Sequence, residues 1–220
     1  MKLIKIGFFL LFIYSCAPSR FVKPLQKNEK ALNLSLGGEL IRYGNAVIPI
    51  PFTSVVYGQG ITDKTTVFGS IHTTSALFSN FQTDIGLVQQ LYKNDSLKIG
   101  ISASPALNFI CHQFKSDARL FPQLDLNFYW NYSKNKNYLY AGISNWLDLT
   151  KTKAHKEKQT NHYFFAPQIG HTFVKQKWNY NLELKYISPN LKNNFVVADY
   201  YNPFGSKGVI GIYMGISRIF

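Results

Sequence analysis

Apolar and polar residues alternate along most of the chain beyond residue 29, the period of an extended strand whose two faces meet different surroundings. Two segments show it most cleanly. In Gln123–Tyr132, Leu124, Leu126, Phe128, Trp130 and Tyr132 share one face, opposite Gln123, Asp125, Asn127, Tyr129 and Asn131. In Trp178–Tyr186, Trp178, Tyr180, Leu182, Leu184 and Tyr186 alternate with Asn179, Asn181, Glu183 and Lys185. Weaker alternation runs through Lys30–Gly37, Gln82–Leu91 and Leu97–Phe109. Pro51–Gly60, Thr65–Thr74, Tyr138–Leu147, His162–Val174 and Gly208–Phe220 are rich in β-forming residues. The pattern predicts strands throughout and no helix beyond the leader.

These segments make about ten strands, with eight or twelve as the alternatives. Every second connection is a tight polar turn: Ile61–Lys64, Lys93–Ser96, Ser133–Asn137 and Lys175–Lys177. Those between are longer (Gly38–Ile50, Ile110–Phe121, Asp148–Asn161 and Ser188–Lys207), apart from the short Ser75–Phe81. Membrane-spanning barrels have an even number of antiparallel strands, with short turns at one end and longer loops at the other. The expected fold is therefore all-β: an antiparallel up-and-down transmembrane barrel over residues 30–220, both ends on the short-turn, periplasmic side. Bilayer hydrocarbon offers backbone groups no partners, so such a sheet has to close on itself. Pro167 is the awkward residue, because a closed ladder has no free edge for a residue lacking N–H. A bulge or a shorter strand is expected there.

The chain opens with Lys2 and Lys5 around a basic start, then the apolar run Ile6–Tyr14. That run is too short to span a bilayer as a helix, which takes about 20 residues, and has the form of a secretory leader. Ile13-Tyr14-Ser15-Cys16 resembles the lipobox of bacterial lipoproteins, with Tyr14 departing from its usual small residue. The resemblance implies cleavage after residue 15, acyl chains such as palmitate on Cys16, and, from Ala17, sorting to the outer membrane of a Gram-negative cell. Residues 16–29, broken by Pro18 and Pro24, read as the lipidated start and a tether. At the other end, Ile212, Met214, Ile216 and Phe220 alternate in a pattern similar to the assembly signal of outer-membrane barrels. Arg218 stands where that pattern has an apolar residue. The resemblance implies the outer-membrane assembly machinery as a partner.

Composition agrees with a lipid-facing surface. Charged residues are 16% and aromatics 16% of the chain, against about 25% charged in ordinary soluble domains. The 24 basic and 11 acidic residues give +13; without Lys2 and Lys5 the balance is 22 to 11, or +11. Such a charge favours anionic surfaces, yet no nucleic-acid-binding signature accompanies it. With Cys16 modified, Cys111 has no partner for a disulfide. No cysteine–histidine set has metal spacing, and no cofactor motif occurs.

Asp125, Asn127, Asn179, Asn181, Glu183 and Lys185 are expected to point into the lumen as a polar network filling a narrow barrel. The loop residues Lys151, Lys153, His155, Lys156 and Lys158, and the apolar stretch Asn193–Phe204, are candidate surfaces for a protein partner. Aromatics at strand ends fit membrane lipids as the immediate surroundings. Three functions remain open: a lipid-anchored outer-membrane barrel of structural, accessory or partner-binding type; a periplasmic lipoprotein whose soluble barrel binds an apolar ligand; and a barrel enzyme acting on lipids. The last would pair His112 with Asp117 or His162 with Ser144. The first two differ in which face is apolar, which hydropathy does not resolve.

Overall fold

The computed structural model describes residues 20–77, 79–112, 118–134, 136–152, 158–193 and 199–220, without the side chain of residue 112. The elements are β1 (Lys30–Tyr43), β2 (Ala46–Pro49), β3 (Phe52–Thr62), β4 (Thr65–His72), α1 (Thr73–Leu77) and β5 (Asn80–Asn94). They continue with β6 (Ile99–His112), β7 (Ala118–Trp130), β8 (Tyr138–Leu147), β9 (Tyr163–Lys175), β10 (Trp178–Lys192) and β11 (Lys207–Ile219). β1 pairs antiparallel with β3 (Lys30↔Gln59 to Gly37↔Phe52), each strand from β3 onward pairs antiparallel with the next, and β1 also pairs with β11, from Ala31↔Ile219 to Glu39↔Gly211. That pairing closes the cylinder. β2 pairs only with the upper part of β1 (Leu40↔Pro49 to Tyr43↔Ala46), so ten strands form the wall.

The strands begin and end close to where alternation places them. The largest differences lie at the loop end. Leu40–Pro49, expected inside a loop, is an extension of β1 folded back as a hairpin. Thr73 and Thr74, expected as strand, begin the short α1. Thr74 Oγ1 donates to the Pro51 carbonyl (3.1 Å) and accepts from the Thr53 amide (2.9 Å), which turns the chain out of the sheet. No described helix is long and apolar enough to cross a membrane.

Polarity is inverted relative to a soluble barrel. Facing outward, Leu182 and Leu184 are 47% and 45% exposed, while inward Glu183 and Lys185 are 0% and 1% exposed. The same division holds along β7, where Leu124, Leu126, Phe128 and Trp130 are exposed and Gln123, Asp125, Asn127 and Tyr129 are buried. A cylinder lined with hydrocarbon for an apolar ligand, coated in polar groups, is excluded. The greasy face looks out.

The four tight turns, the start of β1 and the end of β11 lie at one end of the cylinder, with the longer connections at the other. Phe220 N donates to the Lys30 carbonyl (2.8 Å), tying the two strand ends together at the turn end.

The prolines are accommodated without the bulge expected at Pro167. β9 pairs with β8 through Ile143↔Pro167, but its ladder with β10 stops one residue earlier, at Gln168. The proline therefore borders a side with no partner. Pro105 sits likewise in a gap of the β5–β6 ladder, between the pairs Gly86↔Ala106 and Gln89↔Ala103, where Ser104 Oγ donates to the Leu87 carbonyl (3.0 Å). Pro189 lies where the β10–β11 register shifts between Ile187 and Lys192. Each missing N–H falls where a neighbouring ladder is interrupted, the strand position a proline tolerates.

Candidate functional site

Residues 16–29 were expected to be the lipidated start and a tether; of these, residues 20–25 are instead packed inside the barrel, while Gln26, Lys27 and Asn28 are exposed. Arg20, Phe21, Val22 and Leu25 are all buried. The Leu25 amide donates to Thr66 Oγ1 (2.7 Å), and Ser102 Oγ donates to the Val22 carbonyl (2.5 Å). Gly60 exchanges hydrogen bonds with this segment, its N–H reaching the Glu29 carbonyl (2.8 Å) and its carbonyl accepting from Asn28 (2.9 Å). Phe21 and Leu25 join Ala31, Val56, Phe68, Val88 and Ala106 in an apolar cluster on the inner wall. This buries apolar area that a water-filled lumen would expose.

The wall is shaped for the segment. A Cβ on Gly58 would lie 2.6 Å from Phe21 Cε2, and one on Gly60 would lie 1.9 Å from the Gln26 carbonyl oxygen. Gly58-x-Gly60 makes room for the chain's own N-terminal segment. Lys23 lies under the turn end, its Nζ donating to Asn131 Oδ1 (2.6 Å) and standing over the rings of Tyr138 (4.7 Å) and Tyr129 (5.4 Å). Burial, reinforced by Lys93 and Lys136, pulls its ammonium down to about 8.

Above this plug the lumen holds two polar clusters. In the first, Arg20 reaches across to Asp84 and to Gln123 Oε1 (3.2 Å). Asp84 Oδ2 also accepts from Ser70 Oγ (2.5 Å) and faces His72 Nε2 (2.8 Å). Gln123 passes the connection on: its Oε1 accepts from Asn108 (3.0 Å) and its Nε2 donates to Asp125 Oδ1 (2.8 Å), which also accepts from Ser144 Oγ (2.5 Å). In the second, the Tyr140 hydroxyl donates to Glu183 Oε2 (2.7 Å), with Asn181 Oδ1 at 3.2 Å. Glu183 Oε1 stands 3.5 Å from Lys185 Nζ, which lies over the Tyr213 ring. Nearby, Gln168 Nε2 donates to Asn127 Oδ1 (2.7 Å).

Of the residues singled out in the sequence, Asp125, Asn127, Glu183 and Lys185 are buried inside, Asn181 is half-buried beside Tyr140, and Asn179 is half-buried near the turn end. Asp125 and the Glu183–Lys185 pair belong to separate clusters. Ile212, Met214, Ile216 and Phe220 alternate with the inward Tyr213, which is 0% exposed. Arg20, Ser70, His72, Asp84 and Tyr140 went unmarked because their strands alternate weakly or, for Arg20, not at all. The inward glycines at 58 and 60, every second residue of one strand, were the available sign that something packs against that wall.

The first cluster does not have the geometry of a serine–histidine–carboxylate relay. Ser70 and Asp84 both face the same His72 nitrogen, Nε2, and the serine donates directly to the carboxylate. A histidine relay needs its two partners on opposite ring nitrogens. Ser144 is engaged with Asp125, Gln123 and Trp146, while His162 Nδ1 bonds the Asp148 backbone carbonyl (2.8 Å). The pair expected from these two residues is not made. His112 with Asp117 falls outside the described side chains, as do Lys153, His155 and Lys156 of the basic loop. Lys151 and Lys158 are exposed, and Lys158 forms a β-bridge with Thr152. In the stretch Asn193–Phe204, Tyr200 bridges to Ile41 and Phe204 is exposed, while residues 194–198 lie outside the described part. Among the described residues no group of histidine, cysteine and carboxylate side chains has the arrangement of a metal site.

No protein-family model and no curated protein matches this chain. Solved structures match it in shape. An outer-membrane channel from Pseudomonas putida F1 superposes with a TM-score of 0.53 at 8% identity, over 93% of this chain and 100% of the other. The translocator domain of the autotransporter NalP from Neisseria meningitidis gives 0.47 at 9% identity, over 90% and 91%. The NanC porin gives 0.47 at 9% identity, over 85% and 98%. With the channel from Pseudomonas putida this chain shares its fold, that of an outer-membrane β-barrel.

Proposed function

We propose that this chain is a lipid-anchored outer-membrane barrel of structural, accessory or partner-binding type, sealed by its own N-terminal segment and without catalytic activity. The observation that carries the reading is the inverted polarity: an apolar wall around a lumen occupied by residues 20–25 and by bonded polar side chains. An exterior of this kind is stable only against acyl chains. The lipobox at Cys16 supplies the anchor, the turn end with both strand termini faces the periplasm, and the longer loops face outward as the surface for a protein partner.

Membrane fractionation with alkyne-palmitate labelling and planar-bilayer recording test the proposal together. Palmitate on the wild type but not on Cys16→Ser, heat-modifiable migration of both, and silent bilayers at single-protein resolution are expected. Release by carbonate washing, or steady conductance from the wild type, overturns it.

A further inference from the structure

The exposed charge of the barrel is not spread evenly. Lys64, Lys98, Lys134, Lys136, Lys175 and Lys177 all lie in or beside the four tight turns, and all are exposed. The acids of these turns are Asp63 and Asp95; Asp95 is paired with Lys93 (2.6 Å), and Asp63 Oδ1 accepts the Lys27 amide (3.0 Å). The turn end is therefore a positive collar.

Two features accompany this collar. Lys98 and Lys136 occupy left-handed backbone, with φ of +56° and +64°. Glycine or asparagine adopts that conformation with less strain, yet these turns keep a cation there. Next to the collar, the outward Arg218 stands over two rings, Trp178 at 5.4 Å and Phe220 at 5.2 Å. This is the residue that breaks the apolar alternation of the last strand. Its neighbours Trp178, Tyr180 and Phe220 are exposed aromatics at the end of the apolar wall, the side chains that settle at headgroup depth. A guanidinium held beside rings at that depth can offer its N–H fork to a phosphate oxygen pair.

We propose that the turn end binds anionic phospholipid headgroups, with Arg218, bracketed by Trp178 and Phe220, holding one phosphodiester at the hydrocarbon edge and the lysine collar drawing further anionic lipid around it. The proposal rests on the membrane reading above. It names the leaflet lipid as the occupant; acidic periplasmic proteins are the rival.

The full lipidated protein in nanodiscs of phosphatidylethanolamine and phosphatidylglycerol provides the test, read as lipid retained on the barrel by native mass spectrometry. The expected result is a several-fold excess of retained phosphatidylglycerol. The excess falls to near parity in Arg218→Gln, and by about half in Lys134→Gln/Lys136→Gln, with all forms heat-modifiable and therefore folded. Salt weakens the collar's share. Equal retention of the two lipids by the wild type overturns the proposal and leaves the collar to a protein partner. So does an unchanged excess in both variants. Failure of the wild type to enter nanodiscs instead refutes the membrane reading itself.

Discussion

Arg20, from a segment that precedes the barrel in sequence, places its guanidinium on the carboxylate of Asp84 in the wall, 64 residues away, with both side chains almost wholly buried. Because Asp84 also gathers Ser70 and His72, the arginine closes a cluster that three wall side chains begin. Removing one partner of a buried ion pair leaves the other uncompensated, at a cost on the order of 3–5 kcal/mol. Arg20→Ala is expected to lower the urea midpoint of heat-modifiable folding in lipid accordingly. The double variant Arg20→Met/Asp84→Leu should recover more than half the loss. A single variant as stable as wild type would show that the pair does not hold the segment.

Gly60 decides whether the plug seats. An added Cβ would meet the Gln26 carbonyl, which is backbone and cannot swing aside, whereas at Gly58 it would meet the edge of the Phe21 ring. Gly60→Ala should therefore expose the segment to trypsin at the buried Arg20 in otherwise folded barrels, while Gly58→Ala is the milder of the two. Gel mobility with and without boiling separates plug release from unfolding. Equal resistance of both variants to trypsin would place the segment elsewhere.

Lys23 couples the plug to pH. Its ammonium is lowered from 10.5 to about 8, first by burial and then by Lys93 and Lys136. Between these two values the unfolded chain binds more protons than the folded one, so stability rises with pH through that window. The contribution is complete above the unfolded value and lost as pH falls toward 8. Hydrogen exchange of residues 20–29 at pH 7.5 and pH 10, corrected for intrinsic rates, should show greater protection at the higher pH. Lys23→Met should lack the difference; an identical pH response in that variant would assign it to another group.

Adjacent positions on β7 should respond to opposite changes. Leu126 faces outward and Asn127 inward. Leu126→Arg places a charge against hydrocarbon, at a cost of about 2–4 kcal/mol near the midplane. Asn127→Leu removes the acceptor of Gln168 Nε2 and leaves a buried donor unsatisfied, at a cost of about 1–3 kcal/mol. Unfolding titrations in bilayers check both. A stabilising Asn127→Leu would mean that the inner face tolerates grease and that the assignment of faces needs revision.

Much of the wall was readable before any coordinates. Trp178–Tyr186 announces its two faces because five apolar side chains fall at every second position, and the register Leu182↔Met214 and Leu184↔Ile212 keeps the greasy residues of two strands together. The tight polar turns between the strands and the shared faces of Asp125 with Asn127 and of Glu183 with Lys185 follow from the same period of two. At Pro167 the bulge is absent and the ladder to β10 stops short instead, at a point that alternation does not mark.

Local order in the chain was enough for the strand count, the pairing of neighbours and the alternation of faces, because a strand exposes its side chains to opposite sides whatever surrounds it. Closure through β1 and β11, the choice of the greasy face as the outer one, and the lodging of residues 20–25 within the lumen came from contacts between distant parts of the chain. Hydropathy carries no sign for inside or outside. Phe21, Val22 and Leu25 have no period of their own, and only the hollow left by Gly58 and Gly60 gives them a place to be buried.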